Sequence, residues 1–157
     1  MVGWEAPCQD GPFGCCPVRT MSGAATHETT QCPDDWAGTA GTPGNTKTGD
    51  INKALRDELA LVGAIYTSES RHSPSVSSGR PQKLSIGGRA ALHVVATARD
   101  IEASKCVGES ALHSIVATTV PGQPGVTLFV ISLPQGVPDA GNRRLINQMV
   151  TSLRPID

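Results

Sequence analysis

Five cysteines, four histidines and two tryptophans are the residues of this 157-residue chain whose types could carry chemistry. Cys8, Cys15, Cys16, Cys32 and Cys106 sit in Gly- and Pro-flanked, loop-like surroundings. A structural zinc site asks for Cys pairs two to four residues apart, often with a spaced His pair. Adjacent Cys15 and Cys16 with isolated Cys32 and Cys106 do not supply that pattern. Disulfides in an exported protein account better for five cysteines in a chain of this size. Adjacent cysteines in an extended strand point to opposite faces, so only Cys15 or Cys16 can reach Cys8 across the tight Gly- and Pro-containing loop between them. The odd count leaves one thiol over.

Three motifs imply catalysis or ligand binding, and each departs from its template. Residues 41–48 approach the phosphate-binding loop G-x-x-x-x-G-K-[ST], but Thr46 stands where the second Gly must let backbone amides close on the phosphates. The helix that should follow begins only after Asp50, and Pro43 removes an amide, so a polar loop is the better reading. Gly108-Glu109-Ser110-Ala111-Leu112 is one residue short of the serine hydrolase elbow G-x-S-x-G, and Ser110 enters a strand rather than a strand-to-helix turn. A hydrolase using Ser110 with His93 or His113 is the alternative to a non-enzymatic role. A hairpin centred near Ala103 would set His93 directly opposite His113 on one sheet face, where two imidazoles could share a metal or repel when protonated. No Asp or Glu lies within those strands to complete a site. No metal and no cofactor is therefore expected. Trp4 and Trp36 flank the cysteine-rich half and are expected to pack across its bridges. Arg71, His72 and Arg80 lie in a Ser-rich stretch and read as a solvated face.

The elements that must position these residues are clearest between Arg89 and Leu133. Residues 89–99, 108–120 and 126–133 are rich in Val, Ile, Leu and Ala and are parted by turn signals, notably Pro121-Gly-Gln-Pro-Gly125. With residues 82–86 and the Gly87-Gly88 turn they predict four strands paired sequentially and antiparallel. Both faces carry apolar residues, so both must be covered. Apolar positions at three- and four-residue steps predict a helix over 51–66, capped by Asp50, and a second over 140–153, capped by Asp139. These are expected to bury Leu55, Leu59 and Val62, and Leu145, Ile146 and Met149. An edge strand is expected near Val2–Glu5, a strand with an irregularity at Gly23 over 17–28, a long polar loop with a short strand around Trp36 over 33–49 and a mobile connector over 67–81. The class is α+β, one domain over residues 1–157 with a mainly antiparallel sheet covered by two helices.

Composition narrows the partners. Thirteen Lys and Arg against 14 Asp and Glu, with 3% aromatic residues, form no basic stripe for nucleic acid. No run reaches the roughly 18 apolar residues of a membrane span. Val2-Gly-Trp-Glu has neither the charged start nor the apolar stretch of a leader. Cysteine usage favours export, and on that ground the native gene is expected to encode a signal or anchor upstream of Val2.

In their order along the chain, Met21-Ser-Gly-Ala-Ala, Gln31-Cys-Pro, Ile51-Asn-Lys-Ala-Leu-Arg-Asp, the single Cys106 between two strands, Leu133-Pro-Gln-Gly-Val-Pro-Asp139 and Ile146-x-x-Met-Val-Thr-Ser-Leu-Arg-Pro155 resemble a domain of unknown function among exported actinobacterial proteins with a PsbP-like fold, including LpqN-type envelope lipoproteins. The resemblance covers most of the chain. It implies an antiparallel sheet between helices (an αβα sandwich), a Cys32–Cys106 bridge and a secreted or membrane-anchored protein whose partner is an envelope protein, lipid or glycan. It carries over no catalytic residue.

Overall fold

The computed structural model describes residues 1–9 and 14–155, with only the backbone described at 34–36. Strands β1 (Val2–Pro7), β2 (Cys15–Thr29) and β3 (Cys32–Thr42) precede helix α1 (Ile51–Leu59) and the single turn α2 (Val62–Ile65). Strands β4 (Ser75–Ser78), β5 (Gln82–Ile86), β6 (Arg89–Arg99), β7 (Ser110–Thr118) and β8 (Thr127–Gln135) then lead to helix α3 (Arg143–Ser152). The strands form one antiparallel sheet in the order β1-β2-β3-β8-β7-β6-β4, with β5 also paired to β6. Sequential pairing of β5 to β8 follows from short turns. Gly87 and Gly88 both adopt positive φ, which a two-residue hairpin demands, and Ile86 faces Arg89 across them.

Alternation along the strands gives each face its own core. Leu92, Val94, Ala96, Ile115, Ala117 and Leu128 pack under Ala54, Leu55 and Val62 of the first helical segment. Ala91, Val116, Ile131 and Leu133 point the other way and pack under Ile146 and Val150 of α3. Thus the α+β class and the mainly antiparallel sheet with helices over it are as the sequence reads.

Several local expectations need correction. The loop expected over 33–49 is confined to 43–49: the strand around Trp36 is long, and β3 runs to Thr42 and pairs with both β2 and β8. Its Gly residues serve close approach rather than turning, since a Cβ on Gly38 would lie 2.9 Å from Leu133 and one on Gly41 3.2 Å from Met21 and Ala24. The 67–81 connector contains β4, which pairs with β6. The first helix does not run unbroken to Tyr66; it ends at Leu59 and resumes for one turn, which sends Val62 and Ile65 into the core and leaves Leu59 half-buried. Asp50 does cap α1, accepting from the amides of Asn52 and Lys53. The closing helix starts later than expected, capped by Asn142 rather than Asp139. Asp139 instead has φ 56°, in a turn ahead of the helix. This phase leaves Leu145 exposed and Met149 half-buried, while Ile146 is fully buried.

Leu55 is 3% exposed and central to the first core. Leu55→Ala is expected to cost ~2–5 kcal/mol through lost transfer energy and the cavity left behind. Chemical denaturation checks it, and a loss below ~1 kcal/mol would mean that the helix does not share this core.

Candidate functional site

The cysteines form two bridges, Cys8–Cys16 and Cys32–Cys106, and Cys15 is a half-buried free thiol. Strand alternation explains the choice at the first bridge: Cys16 stands opposite Ala6 and Cys15 opposite Pro7, so their side chains leave opposite faces of β2. The second ties the start of β3 to the loop between β6 and β7.

The two histidines are not partners. The β6–β7 register sets His113 opposite Ala96 and His93 opposite Val116. That is three residues from the expected register, and an odd shift moves one imidazole to the other face. His93 lies on the α3 side, where its Nε2 meets Ser114 Oγ at 2.9 Å, both residues buried. Burial, and secondarily the nearby Arg143 charge, hold its pKa below the usual imidazole value. Ser110 stands opposite Arg99 and Gln135, on the face opposite His113 and about 20 Å along the sheet from His93. The serine that meets His93 is thus Ser114, and no Ser110–His contact supports the hydrolase arrangement. Residues 41–48 do not precede a helix as a phosphate loop would: they end β3 and then bond to β8 through Thr46 and Asn45. The Trp36 side chain lies outside the described residues. His72 Nε2 donates to the Asp100 carbonyl oxygen, 2.7 Å away, and so closes a loop contact rather than facing solvent alone.

His113 is the centre of a different constellation. Ala96, His113, Ser132 and Thr39 stand directly opposite one another across β6, β7, β8 and β3, on the α1 side of the sheet. All four are buried. Tyr66, at the end of α2, reaches down onto this row. Its hydroxyl lies 3.0 Å from His113 Nδ1 and 2.6 Å from Ser132 Oγ. Trp4 meets the His113 ring edge-on, with centroids 6.3 Å apart. Among the described residues His113 Nε2 has no hydrogen-bond partner. Burial pulls the His113 pKa down to about 4 and pushes the Tyr66 phenol up, so both are neutral at physiological pH.

Beside this row opens a cleft of about 840 Å³. Thr39, Ser132 and Ala111 form its floor, Trp4, Ile65, Tyr66 and Ile101 its walls, and the segments Thr67–Ser70 and Glu102–Ser104 its rim. Hydrogen bonds from Ser68 and Ser70 hold Glu102 below the usual carboxylate range and stitch the two rim segments together. The Cys32–Cys106 bridge abuts the cleft through Cys106.

Trp4 is placed there by the β1–β2 ribbon. A bulge between Trp4 and Glu5 breaks the register, a device that re-aims side chains. Arg19, directly opposite Trp4, reaches α1 and binds Glu58 through both carboxylate oxygens. Glu58 is fully buried, and burial raises its pKa while the Arg19 hydrogen bonds and charge oppose that rise.

The arrangement offers hydrogen bonds, not a nucleophile. Ser132 is bonded to Tyr66 rather than to an imidazole, and no carboxylate backs His113 among the described contacts. The described residues also hold no group of three or more His, Cys, Asp or Glu suited to a metal ion. Sequence reasoning named Trp4 and His113 but missed Tyr66, Ser132 and Thr39. Tyr66 reads as one more apolar position of a helix, and the row appears only once the strand register is known.

Residues 1–157 match the family model described as Domain of unknown function (DUF8017), and the chain belongs to that family. No curated protein matches the chain.

Proposed function

We propose that this member of the DUF8017 family is an extracytoplasmic, non-enzymatic binding module whose ligand occupies the cleft between Trp4, Tyr66 and the His113–Ser132–Thr39 row. The observation that carries this reading is the cleft itself. It has the size of a ligand site, apolar walls and a few convergent polar groups, with no nucleophile and base in contact. Two disulfides support an oxidising compartment. Among the described residues no helix is long and apolar enough to cross a membrane. The resemblance to exported PsbP-like domains points the same way and suggests an envelope protein, lipid or glycan as partner.

A small-molecule fragment screen read by two-dimensional amide NMR tests the site. Hits are expected to cluster on the amides of Tyr66, Ser104, Ser110 and Ser132. Hits that map elsewhere and leave those amides unmoved would overturn the assignment, as would turnover of ester or glycoside substrates that is lost in Ser132→Ala.

A further inference from the structure

We infer that the ligand of this cleft is an uncharged saccharide, stacked on Trp4 and hydrogen-bonded by the hydroxyl-rich floor and rim. The inference rests on the cleft reading and narrows it to one class of partner.

Charge excludes part of the field. The lining residues include Glu69 and Glu102 but no Lys, Arg or His. Lys105 lies between Ser104 and Cys106 without lining the cleft, and Arg71 and His72 line an adjoining depression that shares Ser70, Ile101 and Glu102 with it. Neutral His113 and Tyr66 supply no cation beneath the floor. Inside the cleft a phosphate, a phospholipid headgroup or a uronate would therefore find two carboxylates and no cation lining it.

Polarity excludes another part. Thr39, Tyr66, Ser104 and Ser132 bring hydroxyls to the floor, wall and rim. Each can both donate and accept, as can every hydroxyl of a sugar. Tyr66 and Ser132 already bond each other, but an acyl chain seated over the cleft would still desolvate the hydroxyls of Thr39 and Ser104 and offer them no partner, which is unfavourable. His113 Nε2 adds one buried polar atom, still unpartnered among the described residues, beside the same row.

Trp4 supplies the apolar complement. Its indole has a broad flat face with a polar edge, suited to the C–H face of a pyranose ring. The Arg19–Glu58 ion pair anchors β2 to α1, and Trp4 is paired with Arg19 on the neighbouring β1, so the ring is presented from a held strand pair and less freedom is lost on binding.

The test is an amide NMR titration of the oxidised protein with maltotetraose, cellotetraose, xylotetraose and chitotetraose. Polyphosphate and phosphatidylglycerol vesicles form the parallel arms. At least one neutral tetrasaccharide is expected to shift the amides of Tyr66, Ser104 and Ser132 saturably, while polyphosphate leaves them in place. Trp4→Ala should weaken that binding at least tenfold and Trp4→Phe less, because a ring remains. If Trp4→Ala does not fold, Ser104→Ala on the rim, alone and combined with Thr67→Val, reads the same contact with a several-fold loss. Saccharide binding that these variants leave unchanged would overturn the inference. Vesicles or polyphosphate moving the cleft amides where no saccharide does would overturn it while leaving the cleft as a ligand site. Silence in every arm, together with fragment hits elsewhere, would overturn both.

Discussion

Replacing Cys32 and Cys106 together by alanine is expected to lower the unfolding free energy by roughly 4 kcal/mol, the loop-closure entropy of a cross-link spanning 74 residues. The bridge joins the first residue of β3 to the loop between β6 and β7, two segments that no strand pairing connects directly. Without it the unfolded chain gains the freedom of the whole intervening loop, and the folded state loses a buried contact at Cys32. The Cys8–Cys16 bridge, with a separation of eight, should contribute less, about 2.5 kcal/mol on the same basis. Guanidinium denaturation of the oxidised protein and of each double variant checks the order. A loss below ~1 kcal/mol for the long bridge would mean that the unfolded chain is already compact around it.

His113 should make the protein acid-sensitive. Its pKa is about 4 when folded against 6.5 in the unfolded chain. Between those values the unfolded state binds the proton and the folded state does not. The stabilisation is therefore complete above pH 6.5 and is lost as pH falls towards 4, amounting to ~3 kcal/mol for a shift of this size. His93, also depressed, acts in the same direction. Glu58 opposes them: its pKa is raised on folding, so its contribution falls as pH rises through the window that begins at its ordinary 4.5. The expected result is that the native protein loses roughly 3 kcal/mol more than His113→Asn between pH 7 and pH 4 in denaturant titrations. Equal slopes for the two proteins would remove His113 from the account. The slope rather than the absolute stability is the readout, because Asn alters the bond to Tyr66 at every pH.

The central meander is legible in the residues because β-branched runs and Gly or Pro turns agree there with the final pairing. β3 is hidden for the opposite reason. Ala-Gly-Thr-Ala-Gly-Thr has the composition of a loop, and only its neighbours β2 and β8 reveal that small residues are needed for strands to approach closely. The candidate site fails to appear for a subtler reason. A loop of ten residues between β6 and β7 does not fix the register, and a slip of three places His93 and His113 on opposite faces. With the register one apparent metal pair disappears, and a row of His113, Ser132 and Thr39 beneath Tyr66 takes its place. The helix pattern likewise marks Tyr66 as buried without indicating that its hydroxyl would be satisfied by a histidine and a serine.

The long bridge also sets how the molecule carries load. Tension applied at the two chain ends runs to Cys8, crosses to Cys16, follows β2 to Cys32, crosses the sulfurs to Cys106 and continues to the other end, bypassing almost all of β3, α1, α2, β4, β5 and β6. Those elements lie in a closed loop that cannot be drawn out while the bridge holds. Stretching the oxidised protein should therefore fall short of the reduced protein by roughly 250 Å of contour length, the extended span of the shielded residues. Single-molecule force spectroscopy with and without reductant measures this directly, and equal extensions would contradict it. The ribbon of β1 and β2 lies outside the shielded loop, and it carries Trp4. Under tension the indole wall peels away from the cleft while α1, Tyr66 and the strands behind them stay closed within the loop, so a pull on the N-terminal end unmakes the wall before the framework yields.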